Sequence, residues 1–295
     1  MVVIYFGSFS IIVGLFGTVM QAFILMADRY YRQTPCTFYF IVASIHECGF
    51  FTTAYGPLVA STLIGTDLAR LSIVWCKLRF FFITSCCAMS SSCLCMATID
   101  QFFITSQNAR IRQLSSIKNA YRVCLSFAII WWLNGTLWIY FQNISPITGI
   151  CIRSTPKFAF YTLFFTCVIL CGIPCLMMTI FGLLAYRNIG KTIFLSRLGI
   201  DRQLIIVVFI QILLTIVGLA PYGISRIFLL IRLNFQKTAD EEVKETLASN
   251  ITYLFSVVAY GGRFYLLMCS SSRFRRMAKK LWLCGQRQGR IVPTI

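Results

Sequence analysis

Seven long apolar runs constrain the fold of this chain more than any other feature. A helix that crosses a bilayer needs about 20 mostly apolar residues, because each residue rises about 1.5 Å across a hydrocarbon core of about 30 Å. The runs that meet this requirement are Val2–Ala27, Cys36–Ile64, Val74–Thr105, Val123–Gln142, Phe158–Tyr186, Leu204–Ile231 and Leu247–Cys269. They are continuous and too long for the alternating strands of an outer-membrane barrel. The sequence therefore predicts an all-α membrane protein with a seven-transmembrane helix bundle.

The composition agrees with this prediction. Of the 295 residues, 58% are hydrophobic and 12% are charged, whereas soluble domains usually carry about 25% charged residues. The 14 Cys do not indicate a disulfide scaffold, because the chain is too long and too apolar for one. Most Cys lie inside the apolar runs and His46 is the only His. We therefore expect buried structural thiols, and neither a metal site nor a cofactor.

The distribution of Lys and Arg predicts the orientation of the chain. The segments after the first, third and fifth runs, together with the C-terminal tail, hold 17 of these 27 residues, and the segments after the second, fourth and sixth hold six. By the positive-inside rule the first set is cytoplasmic, so the N-terminus is predicted outside and the C-terminus inside. The net charge of +18 then forms a basic cytoplasmic face. Such a face suits anionic membrane lipid and an acidic partner, and it does not require nucleic acid.

Four of the nine acidic residues lie together just before the seventh run, namely Asp240, Glu241, Glu242 and Glu245. They form the only acidic surface that the sequence predicts. One interpretation is a solvated cap on the start of the seventh helix. The other is an attractor for a cationic ligand.

Two Cys residues are set apart from the others because they lie at the predicted outer side. Cys76 opens the third run, and Cys151 lies in the loop after the fourth. The oxidising environment outside the cell favours a disulfide between them. This disulfide would hold the loop over the mouth of the bundle.

Seven runs, an outside N-terminus and this Cys pair resemble a rhodopsin-like (class A) G-protein-coupled receptor. The Asp-Arg-Tyr arginine of that family lies 25 residues after the helix-three Cys, and here this position is Gln101, preceded by Asp100. Pro174 and Pro221 stand where the family has its prolines in helices five and six. Asp201, twenty residues before Pro221, matches the family's acidic position at the inner end of helix six.

The departures from the family pattern are equally specific. Gln101 replaces the arginine, and residues 218–221 read Gly-Leu-Ala-Pro without the toggle tryptophan of helix six. Residues 263–267 read Arg-Phe-Tyr-Leu-Leu where Asn-Pro-x-x-Tyr belongs. The Asp-Arg-Tyr at 28–30 ends the first run, so it is a chance match. The resemblance indicates a divergent member, of an expanded invertebrate set.

The resemblance implies a plasma-membrane receptor that binds an extracellular ligand and activates a heterotrimeric G protein. In the family an outward swing of helix six opens a cytoplasmic cleft. An ion pair between the helix-three arginine and an acidic residue on helix three or helix six restrains this swing. Gln101 can only hydrogen-bond Asp100 or Asp201, more weakly than a charged partner, so we expect raised ligand-independent activity. Pro174 and Pro221 are expected to kink their helices, because each removes a backbone donor.

Candidate ligand contacts lie in the outer half of the predicted bundle. The position seven residues after the helix-three Cys is an Asp in aminergic relatives and an Ile here, so we do not expect a biogenic amine. Two Arg would suit a carboxylate or another acceptor-rich group, and aromatic rings would bury apolar surface, which favours a small peptide or an acidic small molecule. Contact of each Arg with lipid headgroups is the other interpretation. The candidates are Arg79, Phe82, Ile83, Tyr222 and Arg226.

Two of the charged residues inside the apolar runs stand out as a pair, Glu47 in the second and Arg263 in the seventh. Charges within the membrane are costly and usually functional. In the family, helices two and seven meet at a sodium-binding acid, so we hypothesise that Glu47 and Arg263 form a buried ion pair that replaces the sodium site. The other interpretations are that Arg263 extends to the cytoplasm and that Glu47 is protonated.

The C-terminal region is predicted to lie on the membrane. We divide the chain into a transmembrane domain, 1–272, and a basic tail, 273–295. Apolar residues at spacings of three and four in Arg273–Leu283 predict an amphipathic helix in the interface, similar to the family's eighth helix, with Cys284 as a candidate palmitoyl acceptor. Asn143, in an Asn-Ile-Ser sequon after the fourth run, is a candidate glycosylation site.

The alternatives to a receptor are an enzyme, a transporter and a receptor-like decoy. The chain has no Ser-His-Asp set and no Gly-rich phosphate loop, so we do not expect an enzyme. A transporter would usually show inverted repeats, broken helices or a polar path, and none is visible. A receptor-like decoy that reaches the membrane without coupling stays open, because the family's arginine, tryptophan and Asn-Pro-x-x-Tyr are all missing.

Overall fold

The computed structural model describes residues 2–27, 29–57, 60, 72–145, 151–190, 202–232 and 238–288. The helices are α1 (Val2–Ala27), α2 (Arg29–Gln33), α3 (Pro35–Phe50), α4 (Ile73–Thr105), α5 (Ala109–Arg112), α6 (Ile117–Phe141), α7 (Pro156–Phe164), α8 (Ile173–Gly190), α9 (Arg202–Ile231), α10 (Ala239–Gly261), α11 (Arg263–Ser270) and α12 (Ser272–Gln288). Two π-helical segments, Phe51–Tyr55 and Phe165–Gly172, continue α3 and α7. Strands β1 (Gln142–Ile144) and β2 (Cys151–Arg153) pair antiparallel.

Five helical stretches of the described chain are long and apolar enough to cross a membrane. They are Tyr5–Ala27, Ile73–Thr105, Ile117–Phe141, Pro156–Asn188 and Phe209–Ile231. The pair Val243–Gly261 and Arg263–Ser270 becomes a sixth if it is one span bent by 43°. The chain is therefore an all-α, multi-pass membrane protein. The second predicted run, Cys36–Ile64, corresponds to α3 and the first π-helical segment, and its last residues lie mostly outside the described chain.

The central helix of the bundle is α4. Within its span, 67% of the residues are buried by the rest of the protein, compared with 17% in α6. The exposed positions of α6 carry large apolar side chains such as Leu125, Ile129 and Leu133. A row of this kind is unfavourable in water and suits contact with lipid chains.

Short polar residues define where several helices begin. Ser72, Ser116 and Thr155 each accept a hydrogen bond from a backbone amide three residues later, at the starts of α4, α6 and α7. At α10, Thr238 and Glu241 form a reciprocal capping box. These bonds satisfy backbone donors that the first helical turn leaves without intrahelical partners.

The two prolines that are predicted to kink their helices have different helical surroundings. Pro174 is the second residue after the π-helical segment Phe165–Gly172. Because Pro cannot donate to the carbonyl four residues earlier, the change in hydrogen-bond spacing next to it accommodates the missing donor. Pro221 lies inside the continuous helix α9. A bend of 43° separates α10 from α11 at Gly262, where Arg263 interrupts the seventh apolar run.

Glycines allow the closest approaches between helices. A Cβ atom on Gly261 of α10 would lie 2.9 Å from the Cα of Gly14 in α1. A Cβ on Gly218 of α9 would lie 2.9 Å from the backbone nitrogen of Ala259. Small residues at such crossings let helices in a membrane gain van der Waals contact.

We expect Gly261→Ala to lower the free energy of unfolding by about 1–3 kcal/mol, because the new methyl group meets backbone that cannot rotate away. The measurement is the apparent melting temperature of the purified protein. Gly56→Ala is the matched control, since no atom of another element in the described part of the chain lies within 4 Å of its added Cβ. Equal melting temperatures for the two variants would contradict the close crossing of α1 and α10.

Candidate functional site

A disulfide links the loop after α6 to the first turn of α4. Cys76 and Cys151 are bonded, with their Cα atoms 5.9 Å apart, which is the predicted pair. Cys151 begins β2, which pairs with β1 in the register Ile144 opposite Cys151 and Gln142 opposite Arg153. Alternate residues of a strand point to the same face, so Arg153 lies on the face of the disulfide. We call this end of the bundle the disulfide end.

A cavity of about 300 Å³ opens at the disulfide end between α3, α4, α9, α10 and the second π-helical segment. Most of its wall is apolar, with Phe50, Trp138, Leu170, Leu219 and Tyr260 among the lining residues. Hydroxyl and amide groups add a few hydrogen-bonding positions, supplied by Thr84, Thr166, Asn250 and Ser256. A mainly apolar cleft with few polar groups is typical of a small-molecule site.

Three arginines line this cavity: Arg79, Arg153 and Arg226. Arg79 Nη2 donates to the carbonyl of Ala54, in the first π-helical segment, at 3.4 Å. The guanidinium of Arg226 lies over the ring of Tyr222, 4.8 Å from its centroid. Among the described residues, no Asp or Glu lines the cavity. Its wall is therefore positively charged.

Removal from water lowers the pKa of Arg153, and the charge of Arg226 lowers it further. Arg153 belongs to β2 and is exposed overall, so it lies at the mouth of the cavity. Arg226 belongs to α9 and is half-buried. The two cations thus converge from different elements.

Four of the five predicted ligand residues line the cavity, namely Arg79, Ile83, Tyr222 and Arg226. Phe82 does not. It packs against Phe81 and Trp132, with ring centroids 5.1 and 5.8 Å away. The lining positions of α4 are 79, 80, 83, 84 and 87, which share one helical face. Position 82 lies outside that face, and its role as a ligand contact stays a prediction.

Arg153 is the charged lining residue that was not among the ligand contacts predicted from the sequence. It stands two residues after Cys151, and the disulfide brings it to the start of α4. The signal that could have identified it was this spacing, because position i+2 on a strand shares the face of position i. The π-helical segments, which contribute Ala54, Leu170 and Cys171 to the wall, have no comparable sequence signal.

Glu47 and Arg263 form a buried ion pair in the middle of the bundle, as predicted. Arg263 Nη2 lies 2.6 Å from Glu47 Oε1, and Ser90 Oγ donates to the same oxygen at 2.7 Å. The two side chains are each only 1% exposed, so Arg263 does not extend to water. The guanidinium also lies 5.5 Å from the ring centroid of Phe40. The chain itself therefore supplies the cation that neutralises Glu47.

At the opposite end of α4, Asp100 is held by the following loop. Ser115 Oγ donates to Asp100 Oδ1 at 2.6 Å, and both Asp100 and Gln101 are buried. The predicted hydrogen bond between Gln101 and Asp100 is not formed in the described chain, where the second oxygen of Asp100 and the amide nitrogen of Gln101 have no hydrogen-bond partner. The loop hydroxyl satisfies Asp100 instead. Asp201 lies outside the described residues.

The helix α12 packs against the end of α11. Phe274 is buried, with its ring centroid 6.0 Å from that of Phe264. Arg275 Nη1 donates to the carbonyls of Met268 and Cys269 at 3.0 and 2.6 Å, which caps α11. The side chains of Arg276, Lys279 and Lys280 are exposed. This helix extends beyond the predicted Arg273–Leu283, and the side chain of Cys284 lies outside the described part.

Two residues of the acidic cluster, Glu241 and Glu245, are engaged locally at the start of α10. Arg232 pairs with Glu241 at 2.9 Å and with Glu245 at 3.3 Å. The hydrogen bond from Arg232 holds the pKa of Glu241 below its usual value. These contacts and the Thr238 capping box favour the helix-cap interpretation over an attractor for cations. The candidate glycosylation site Asn143 is exposed in β1, where its Nδ2 donates to Ser154 Oγ at 3.4 Å.

Neither protein-family models nor curated proteins match this chain in sequence. The likeness to rhodopsin-like receptors therefore stays a resemblance carried by the residues described above.

Proposed function

We propose that the chain is a receptor of the plasma membrane, and not an enzyme, that binds an extracellular ligand and activates a heterotrimeric G protein. The observation that carries this proposal is the arginine-lined cavity at the disulfide end. The disulfide joins the loop hairpin to α4, which runs from the cavity to the Asp100–Ser115 contact at its other end. One rigid helix thus links a ligand-sized site to a distant loop.

The proposal assigns seven spans to the described helices. They are α1, α3 with the first π-helical segment, α4, α6, α7 with α8, α9, and the bent pair of α10 and α11. In this arrangement the disulfide end is extracellular. The basic helix α12, with its exposed Lys279 and Lys280, then lies on the cytoplasmic side against anionic lipid.

The test is basal guanine-nucleotide exchange in membranes that express the chain, across a panel of G proteins and with surface expression confirmed. We expect exchange above the empty-vector background. The absence of exchange from a correctly delivered chain would remove the predicted basal activity and favour a non-coupling decoy or a transporter. Measurement of solute flux would then separate these two.

Gln101→Arg is expected to reduce basal exchange severalfold. The new guanidinium would reach the buried Asp100, whose second carboxylate oxygen has no hydrogen-bond partner in the described chain, and a charged pair is stronger than an amide contact. Gln101→Met, which adds no charge, is the matched control and should not reduce exchange. Unchanged basal exchange in Gln101→Arg at normal surface expression would contradict the prediction that Gln101 weakens the restraint on helix six.

A further inference from the structure

The cavity at the disulfide end contains positive charge that its described wall does not balance. Arg79, Arg153 and Arg226 line it, and none of the described lining residues is acidic. Arg79 donates to the carbonyl of Ala54, so Arg153 and Arg226 are the two arginines considered for the ligand head. The acidic residues Glu241 and Glu245 pair with Arg232 instead. Arg153 and Arg226 line one cavity from different elements, and an anion bound between them would offset the repulsion between their charges. The site is therefore electrostatically incomplete without an anionic ligand.

The guanidinium of Arg226 is positioned to bind such an anion. Its Cζ atom lies over the ring of Tyr222, 4.8 Å from the centroid, and its buried Nε has no hydrogen-bond partner in the described chain. The contact with the ring holds the guanidinium in place, and the Nε edge keeps an available donor. Planar edges of this kind bind carboxylate and phosphate oxygens through paired hydrogen bonds. Arg153 adds a second donor from the opposite element, β2.

The apolar part of the cavity determines the chemistry and size of the ligand body that is attached to the anionic head. Phe50, Leu170, Leu219 and Tyr260 form an apolar wall, which suits an aromatic or aliphatic body. The volume of about 300 Å³ lies at the lower end of the range for small-molecule sites. A compact ligand fits this space better than an extended peptide.

We propose that the cavity binds a compact amphiphile with a doubly negative oxyanion head, of which a phosphate monoester is the simplest example. Arg153 and Arg226 bind the head, and the apolar wall binds the body. A phosphate monoester carries about −1.5 to −2 charge at neutral pH and so balances both cations, whereas a carboxylate balances one. The signalling role of this ligand rests on the proposed receptor function, but its binding does not.

Binding can be tested with four probes that share one ring system. They are 2-naphthyl phosphate, 2-naphthyl sulfate, 2-naphthoate and neutral 2-naphthol, added to the purified full chain while its melting temperature is measured. A ligand that binds only the folded state raises the melting temperature in a saturable way. We expect half-saturation at a concentration at least tenfold lower for the phosphate than for the sulfate or the carboxylate, and no saturable effect of the naphthol.

Arg153→Gln and Arg226→Gln are each expected to raise the half-saturating concentration of the phosphate at least tenfold, and that of the carboxylate less. Arg153→Lys keeps the charge but loses the planar fork, so its effect should be intermediate. Lys157→Gln is the matched control, because Lys157 is an exposed cation near the hairpin that does not line the cavity. It should leave all four titrations unchanged. The melting temperature without probe shows whether each variant is folded.

Three results would overturn the proposal: equal half-saturation for the phosphate and the naphthol, no saturable effect of any probe at millimolar concentration, or unaltered phosphate binding in folded Arg153→Gln and Arg226→Gln. Phosphate-selective binding without nucleotide exchange would support this ligand class and count against the receptor function. Exchange that occurs without phosphate-selective binding would support the receptor and overturn the ligand class.

Discussion

Arg263→Met should lower the free energy of unfolding by about 3–5 kcal/mol, one of the two largest effects that we expect in this protein. The substitution leaves Glu47 in a site where its side chain is 1% exposed, with Ser90 as its only hydrogen-bond partner in the described chain. An uncompensated carboxylate of this kind cannot recover its hydration. Glu47→Gln should destabilise for the reciprocal reason, because it leaves the guanidinium of Arg263 buried without its counterion. The apparent melting temperature and the surface expression both report the loss.

The double variant distinguishes a true pair from two independent residues. Glu47→Gln combined with Arg263→Met removes both charges. We therefore expect its loss of unfolding free energy to be smaller than the sum of the two single losses by about 2 kcal/mol or more. Additive single effects would show that the two residues act separately. Arg232→Gln is the matched control, because it breaks an ion pair that water reaches and should change the melting temperature little.

Removal of the disulfide should have the second of the two largest effects that we expect. In Cys76→Ser/Cys151→Ser, we expect the free energy of unfolding to fall by about 2–4 kcal/mol, because the bond closes a long loop of 75 residues. The hairpin that carries Arg153 also loses its covalent link to α4. The half-saturating concentration of 2-naphthyl phosphate should therefore rise by more than the lower stability of the folded state alone would explain.

A reducing agent provides the control for this experiment. It should lower the melting temperature of the wild-type protein towards that of the double Ser variant, and it should leave the variant unchanged. Cys269→Ser tests the substitution itself, since Cys269 is a free and exposed thiol. A wild-type protein that is insensitive to reduction would contradict a stabilising role for the bond.

Features governed by transfer into the membrane could be predicted from the sequence. In lipid every backbone donor and acceptor needs a partner within the protein, and a helix supplies these partners within its own segment. A long apolar run therefore indicates a spanning helix even when its contacts with the other helices are unknown. For the same reason a lone Glu47 and a lone Arg263 within those runs predict each other, because neither charge is stable there without a partner. The Cys76–Cys151 bond was predictable because, of all the Cys, these two alone lie at the outer side that the charge distribution predicts, where the environment is oxidising.

Features that depend on rotation about a helix, or on hydrogen-bond spacing within it, were decided only by the tertiary structure. Phe82 and Ile83 are neighbours in sequence, yet only Ile83 lines the cavity, because each residue turns the helix by about 100°. Arg153 reaches the cavity only because the disulfide and the strand register bring β2 there. Ser115, and not Gln101, satisfies Asp100, because the fold of the loop places its hydroxyl 2.6 Å away. The sequence by itself thus determined which residues must leave water, and the packing of the helices decided which of them meet.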